Sequence, residues 1–183
     1  MNIYSEIIAV CWAIFLIVWI ISSFSVKRAV QSHVRKNNYL YRLGAVVLII
    51  LFLLLPPTFA LATVDPAFGI IGVALAVLGV GFALWARFYL GRNWGAPMTL
   101  REEHELLTTG PYRLVRHPIY TGVLVALSSA VIVQGILWLP VLGYFVYYFI
   151  RSARIEERHM LERFPDVYPV YLSHTKAFIP FVY

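Results

Sequence analysis

At 183 residues, with 61% hydrophobic and only 13% charged side chains, the chain is far more apolar than a soluble domain, which averages about 45–50% apolar and about 25% charged. With a mean hydropathy of +0.76, composition excludes a soluble enzyme and defines an integral membrane protein, long enough for one compact domain. The formal charge of +6 is unevenly spread, so it sets membrane orientation rather than marking a nucleic-acid partner.

The first apolar run, Ile7 to Val26, is long enough to span a hydrocarbon core of about 30 Å. No basic segment precedes it and bulky residues fill its end, which is not the pattern of a cleaved signal peptide. The lone cysteine, Cys11, lies within it; it can form no internal disulfide, and no Cys/His cluster has metal-site spacing. Lys27, Arg28, Arg35, Lys36 and Arg42 follow with no acidic residue among them, so this loop is expected in the cytoplasm and the N-terminus outside. Leu43 to Val64 predicts a second span, which Pro56-Pro57 should kink or shorten by removing backbone donors. Asp65-Pro66 predicts a tight external turn, and Ala67 to Leu90 a third span with Arg87 near the cytoplasmic surface. Gly72, Ala76, Gly79 and Ala83 recur on that span at helical spacing, giving it a smooth face for close packing.

Gly91 to His117 is a long polar loop, carrying Arg92-Asn93-Trp94 and then Arg101-Glu102-Glu103-His104-Glu105-Leu106-Leu107. No Gly-x-Gly-x-x-Gly fingerprint after a strand occurs in it or elsewhere, which excludes a Rossmann-type cofactor domain. The loop leads into the stretch from Gly110 to Gly122. Gly110-Pro111 signals a turn, and Pro118 biases His117 away from the helical region while suiting the first turn of a helix. Arg116 and His117 are thereby delivered to the mouth of a membrane helix, where ionisable groups are expensive and mark a candidate site. The plain alternative is a snorkelling arginine and an interfacial histidine acting as anchors.

Ile119 to Ile150 is apolar throughout and too long for one span; Gln134-Gly135 and Pro140 near its middle predict two helices joined by a tight turn. About five spans result, with both large polar segments on the cytoplasmic side. Arg151, Arg154, Glu156, Glu157, Arg158, Glu162 and Arg163 then predict a helical extension ended by Phe164-Pro165. Tyr168, Tyr171 and Phe178-Ile179-Pro180 follow. Taken alone, the extension reads as a solvated helix with pairs such as Arg154–Glu157, each worth little.

Together these two stretches resemble one family. Gly110, Tyr112, Arg116, His117, Pro118, Tyr120 and Gly122 match the signature of the isoprenylcysteine carboxyl methyltransferases and the related phospholipid N-methyltransferases. The arginine at the membrane edge, the paired glutamates, the Phe-Pro-x-x-Tyr-x-x-Tyr turn and the closing Ile-Pro resemble that family's tail. Membrane sterol reductases also carry an Arg-His-Pro-x-Tyr element, but such a reductase would not explain the tail. Gly79-Val80-Gly81 resembles a short glycine element of the phospholipid enzymes, although small residues on a membrane helix more often serve packing.

The resemblance implies an all-α integral membrane enzyme, one domain over residues 1–183, with an N-terminal helical hairpin (1–66) and a catalytic core (67–183). In it, the cytoplasmic loop and the helical tail form a site for S-adenosyl-L-methionine. It implies cofactor contacts at His104, Glu105, Leu106, Leu107, Tyr112, His117, Pro118, Ile119, Tyr120 and Glu156, an acceptor-facing Arg151, and no metal. The interval from Arg151 to the Phe-Pro turn is one residue longer than in the relatives. Glu156 against Glu157, and Arg151 against Arg154, therefore stay open.

Methyl transfer from a sulfonium is an in-line displacement, so the protein must bind, align and keep water out. A carboxylate suits the cofactor's ammonium or ribose, and aromatic rings suit its cation. The expected reaction is carboxyl O-methylation of a lipophilic, isoprenylcysteine-like acceptor arriving sideways from the bilayer. The alternatives are phospholipid N-methylation and an NADPH-dependent, sterol-type reduction. Neither nucleic acid nor metal is expected as a partner. The chain's shortness beside the eukaryotic prenylcysteine enzymes suggests a prokaryotic inner membrane.

Overall fold

The computed structural model describes residues 2–23, 64–91, 106–180 and 182. The elements are α1 (Ile3–Ser23), α2 (Pro66–Leu90), a single turn α3 (Pro111–Leu114), α4 (Pro118–Gln134), a 3-10 turn (Ile136–Trp138), α5 (Leu139–Arg163) and a short α6 (Tyr168–His174). The elements among the described residues are all helical, as the resemblance implies. Three described stretches are long and apolar enough to cross a membrane: Ile3–Ser22, Pro66–Leu90 and Ile136–Arg163. The shorter apolar helix α4, with 17 residues, spans about 26 Å at 1.5 Å per residue. The predicted second span (Leu43 to Val64) and the basic segment before it lie outside the described residues.

Helix α2 starts where its sequence says a helix can start. The Asp65 carboxylate accepts the Ala67 amide at 2.8 Å, and Pro66 fills the first turn, where a missing amide does no harm. The Asp-Pro pair is thus the helix cap. At the other end Gly91 adopts φ 54°, a conformation natural to glycine.

The predicted smooth face of α2 does pack. A Cβ added at Gly79 would come within 2.5 Å of the Ala126 amide nitrogen, and one added at Gly122 within 2.5 Å of the Gly79 carbonyl oxygen. Helices α2 and α4 therefore meet backbone to backbone, where dispersion and close fit replace the hydrophobic drive that lipid does not supply. They run antiparallel: Gly72 lies by Val133, while towards the opposite end Ala83 lies by Gly122. Helix α1 runs parallel to α2, with Tyr4 against Gly69 at one end and the Ser22 carbonyl accepting from Arg87 at 2.6 Å at the other. This parallel course is the one the predicted topology requires of the first and third spans.

The predicted break in the apolar stretch 119–150 falls at Gly135, φ 109°, followed by the 3-10 turn and Pro140 in the first turn of α5. Helix α5 then returns beside α4 and runs unbroken to Arg163. Along the bundle the core changes character. Ile8, Ala76 and Val133 fill one end, Phe15, Val80, Ala83 and Ala126 the middle, and Tyr120, Tyr148, Phe149, Ala153 and Phe178 the end where the polar groups gather. Facing outward, Leu78 is 68% exposed and Phe88 63%, the surface a helix shows to lipid rather than to water.

Candidate functional site

Gly110 opens the signature at φ 59°, with the Tyr89 ring where a Cβ would project. Pro111 starts the one-turn α3, Val115 is extended, and His117 stands immediately before α4 with Pro118 in its first turn. Each step follows the predicted effect of glycine and proline on the backbone.

Across this loop lies the C-terminal segment. Val115 and Lys176 form a parallel bridge; the Arg116 amide donates to the Lys176 carbonyl at 2.8 Å and the His117 amide to the Ala177 carbonyl at 3.0 Å. The Thr121 hydroxyl donates to the Phe178 carbonyl at 2.9 Å, and the Arg116 guanidinium donates to the Thr175 carbonyl. The Tyr171 hydroxyl donates to the Tyr112 carbonyl at 2.5 Å. Loop and tail, predicted to share a face, are stitched together by main-chain bonds.

Beneath this strap, α5 brings in its glutamates. The Tyr120 hydroxyl donates to Glu156 Oε1 at 2.5 Å, and Glu156 Oε2 lies 3.6 Å from His117 Nδ1. Glu157 Oε1 lies 3.1 Å from His117 Nε2 and accepts from Arg116 Nε at 2.7 Å. The His117 side chain is 8% exposed, whereas Glu156 is 27% exposed and reachable. Rings enclose the carboxylates: His117 stacks on Tyr120 (centroids 5.5 Å, 6°), Tyr120 on Phe149 (4.4 Å, 10°) and Phe178 on His117 (5.6 Å, 28°). A carboxylate beside parallel ring faces is a setting for a cation. Burial, and then the Glu156 charge, push the Tyr112 hydroxyl well above the usual tyrosine range; burial does the same for Tyr168 and Tyr171.

Of the residues singled out from sequence, Tyr112, His117, Pro118, Ile119, Tyr120 and Glu156 converge here. Leu106 and Leu107 are half-buried in the approach to the signature, and His104 and Glu105 lie outside the described residues. Arg151 is half-buried and Arg154 exposed. At about 100° of rotation per residue, Arg151 sits on a different side of α5 from Glu156. Sequence reasoning missed two participants, Phe149 and Phe178. Phe149 was hidden in an unbroken apolar run, and Phe178 showed only as part of the closing Phe-Ile-Pro. Arg87, 3% exposed, donates to the Ser22 and Gly91 carbonyls at the ends of α1 and α2. Among the described residues no group of three or more His, Cys, Asp or Glu side chains is placed to hold a metal ion.

Fold and site together define a helical membrane protein with a carboxylate-and-aromatic site at one end of its spans. Residues 68–167, more than half of the chain, match the family model described as phospholipid methyltransferase, and the chain belongs to that family. It is similar to the cobalt-zinc-cadmium resistance protein CzcN of Cupriavidus metallidurans (31% identical over 118 residues, 61% of this chain and 47% of that one). It is also similar to the nickel-cobalt-cadmium resistance protein NccN of Alcaligenes xylosoxydans xylosoxydans (35% over 118 residues, 61% and 48%). The chain spans about half the length of these curated relatives.

Proposed function

We propose that this chain is an S-adenosyl-L-methionine-dependent membrane methyltransferase acting on the carboxylate of a lipophilic, isoprenylcysteine-like acceptor. The observation that carries it is the Glu156 carboxylate, fixed by Tyr120 at 2.5 Å and bracketed by the His117 and Tyr120 rings, where the family's signature meets its tail. The donor set fits the cofactor: a part-exposed carboxylate for an ammonium or ribose hydroxyls, and ring faces for a cation. When bound, the cofactor supplies an activated methyl group. His117, Pro118, Ile119, Tyr120 and Tyr112 form one wall of its site and Glu156 the other; His104, Glu105, Leu106 and Leu107 are proposed as further cofactor contacts from the family resemblance. Arg151, at the membrane edge of α5, holds the acceptor carboxylate, which is already ionised and needs no base.

Lipid amine methylation is the second reading, supported by the description of the matching family. An amine acceptor would have to lose a proton, and Glu156 and His117 are groups able to take one. The acceptor is lipid-borne in both readings, and the setting is a prokaryotic inner membrane with the site facing the cytoplasm. Two measurements test this. The detergent-purified protein should bind adenosylhomocysteine and not NADPH; the reverse would leave a sterol-type reductase. Membranes incubated with methyl-labelled cofactor should yield a methyl ester that mild alkali releases as methanol. Incorporated label that resists alkali would replace the carboxylate with the amine.

A further inference from the structure

Arg116 looks in the sequence like a cation offered to a ligand, yet the folded chain uses it internally. Its Nε donates to Glu157 Oε1 at 2.7 Å, its guanidinium also reaches the Thr175 carbonyl, and its side chain is only 11% exposed. Glu157 Oε1 is in turn shared with His117 Nε2 at 3.1 Å. One carboxylate oxygen, on α5, thus ties together the loop arginine, the loop histidine and, through Arg116, the C-terminal strap.

An imidazole ring can turn about its Cβ–Cγ bond, exchanging the places of its nitrogens and carbons, and neighbouring hydrogen bonds decide which way it rests. With Nε2 protonated, His117 donates to Glu157, which leaves Nδ1 facing Glu156 Oε2 at 3.6 Å. The same ring angle makes His117 nearly parallel to Tyr120, at 6°. Glu157 is itself held by Arg116, whose Nε donates to the same oxygen. A lone carboxylate on a helix would sample several rotamers.

We propose that Glu157, fixed by Arg116, is a positioning residue: it sets the rotation of the His117 ring and so shapes the Glu156-facing wall of the cofactor site. The link to the site rests on the reading that His117 and Glu156 face the cofactor. The link to the ring does not.

The experiment uses the full chain in detergent with 15N-labelled histidine. The chain has five histidines, and a His117→Gln spectrum assigns the one of interest. Glu157→Gln should shift the His117 ring-nitrogen resonances and weaken adenosylhomocysteine binding, per folded molecule, by about three- to tenfold, in keeping with one altered charge-assisted bond. Arg116→Lys, which keeps a charge but loses the fork, should move the same resonances less and weaken binding about two- to threefold. Glu162→Gln, an exposed carboxylate on the same helix, should change neither.

A merely structural role would lower the folded fraction while leaving the affinity of the surviving molecules unchanged. Should Glu157→Gln not fold, Glu157→Asp and Arg116→Lys carry the same two readouts. Unmoved His117 resonances overturn the positioning role; moved resonances with unchanged affinity overturn its link to the site. Failure of the unaltered protein to bind adenosylhomocysteine would sink the cofactor reading, while the resonances would still decide whether Glu157 sets the ring.

Discussion

Glu156 and Glu157 are neighbours on α5, and about 100° of helical rotation aims them at different partners. Glu156 meets Tyr120 and the Nδ1 side of His117, while Glu157 meets Arg116 and the Nε2 side. Glu157 is thus occupied by a cation of the chain, whereas Glu156 is the more open of the two, its side chain 27% exposed against 20%. Glu156→Gln should therefore weaken adenosylhomocysteine binding by about 1–3 kcal/mol, the worth of a charge-assisted contact, and do so more than Glu157→Gln. Calorimetry showing Glu157→Gln to be the more harmful would shift the register by one residue. Arg151→Lys should leave that binding near normal while lowering turnover on a lipophilic acid, because lysine cannot reproduce the bidentate fork; equal loss of both would put Arg151 on the cofactor instead. The tyrosines give a pH test. Burial raises Tyr168 and Tyr171 above the ordinary value of 10.0, so their stabilising contribution is complete below that pH and is lost as pH rises towards their native values. Thermal unfolding should hold steady to about pH 10 and then fall. Tyr171→Phe, which loses the bond to the Tyr112 carbonyl, should be less stable by about 0.5–1.5 kcal/mol at neutral pH and fall less steeply above it. An alkaline slope unchanged from that of the unaltered protein would remove Tyr171 from this account.

Among the elements, the α2–α4 contact has least tolerance at Gly79 and Gly122, because both face main chain rather than a side chain that can swing away. Gly79→Ala and Gly122→Ala should each destabilise the protein by about 1–3 kcal/mol or more, in the range of overpacking. Gly81→Ala, with open space around its added methyl, should be near neutral in a detergent unfolding series. Equal effects at Gly79 and Gly81 would dismiss the packing argument. How much was legible beforehand depended on the range of the interaction. The small-residue face of α2 showed in the sequence because a helix repeats it every turn. Its partner surface on α4 did not, since Gly122 read as the last position of the signature and Ala126 as one apolar residue among many. The break at Gly135 was legible because glycine and proline act on their own backbone. The strap from Thr175 to Phe178 was not: its bonds reach back to residues 115–121, and no local pattern encodes a contact that far along the chain. For the same reason the sequence placed Arg116 and Glu157 in separate motifs and could not show that they meet.

At the scale of the whole molecule, the ends of α1, α2 and α5 and the start of α4 gather at one end of the bundle. Arg87 ties the first two together there, and the glutamates meet the signature beside them. The outward-facing Trp85, Phe88 and Tyr89 of α2 lie near that end, at 48%, 63% and 41% exposure, as aromatic residues do at a membrane–water boundary. Which side of the membrane this end faces follows from charge. The basic segment Lys27 to Arg42 comes directly after α1 and carries no acidic residue, so the C-terminal end of α1 should face the cytoplasm. Because α1 and α2 run parallel, the site end would then be cytoplasmic, where a water-soluble cofactor is supplied. Single cysteines at Asn2, Ser32, Glu103 and Ser173, in a Cys11→Ser background, would be treated on intact cells with a membrane-impermeant thiol reagent. Only the Asn2 site should react, with the other three labelling after the membrane is opened. Reaction at Glu103 or Ser173 in intact cells would invert the protein, move the site to the outer face and deny it the cytoplasmic cofactor on which the proposed chemistry depends.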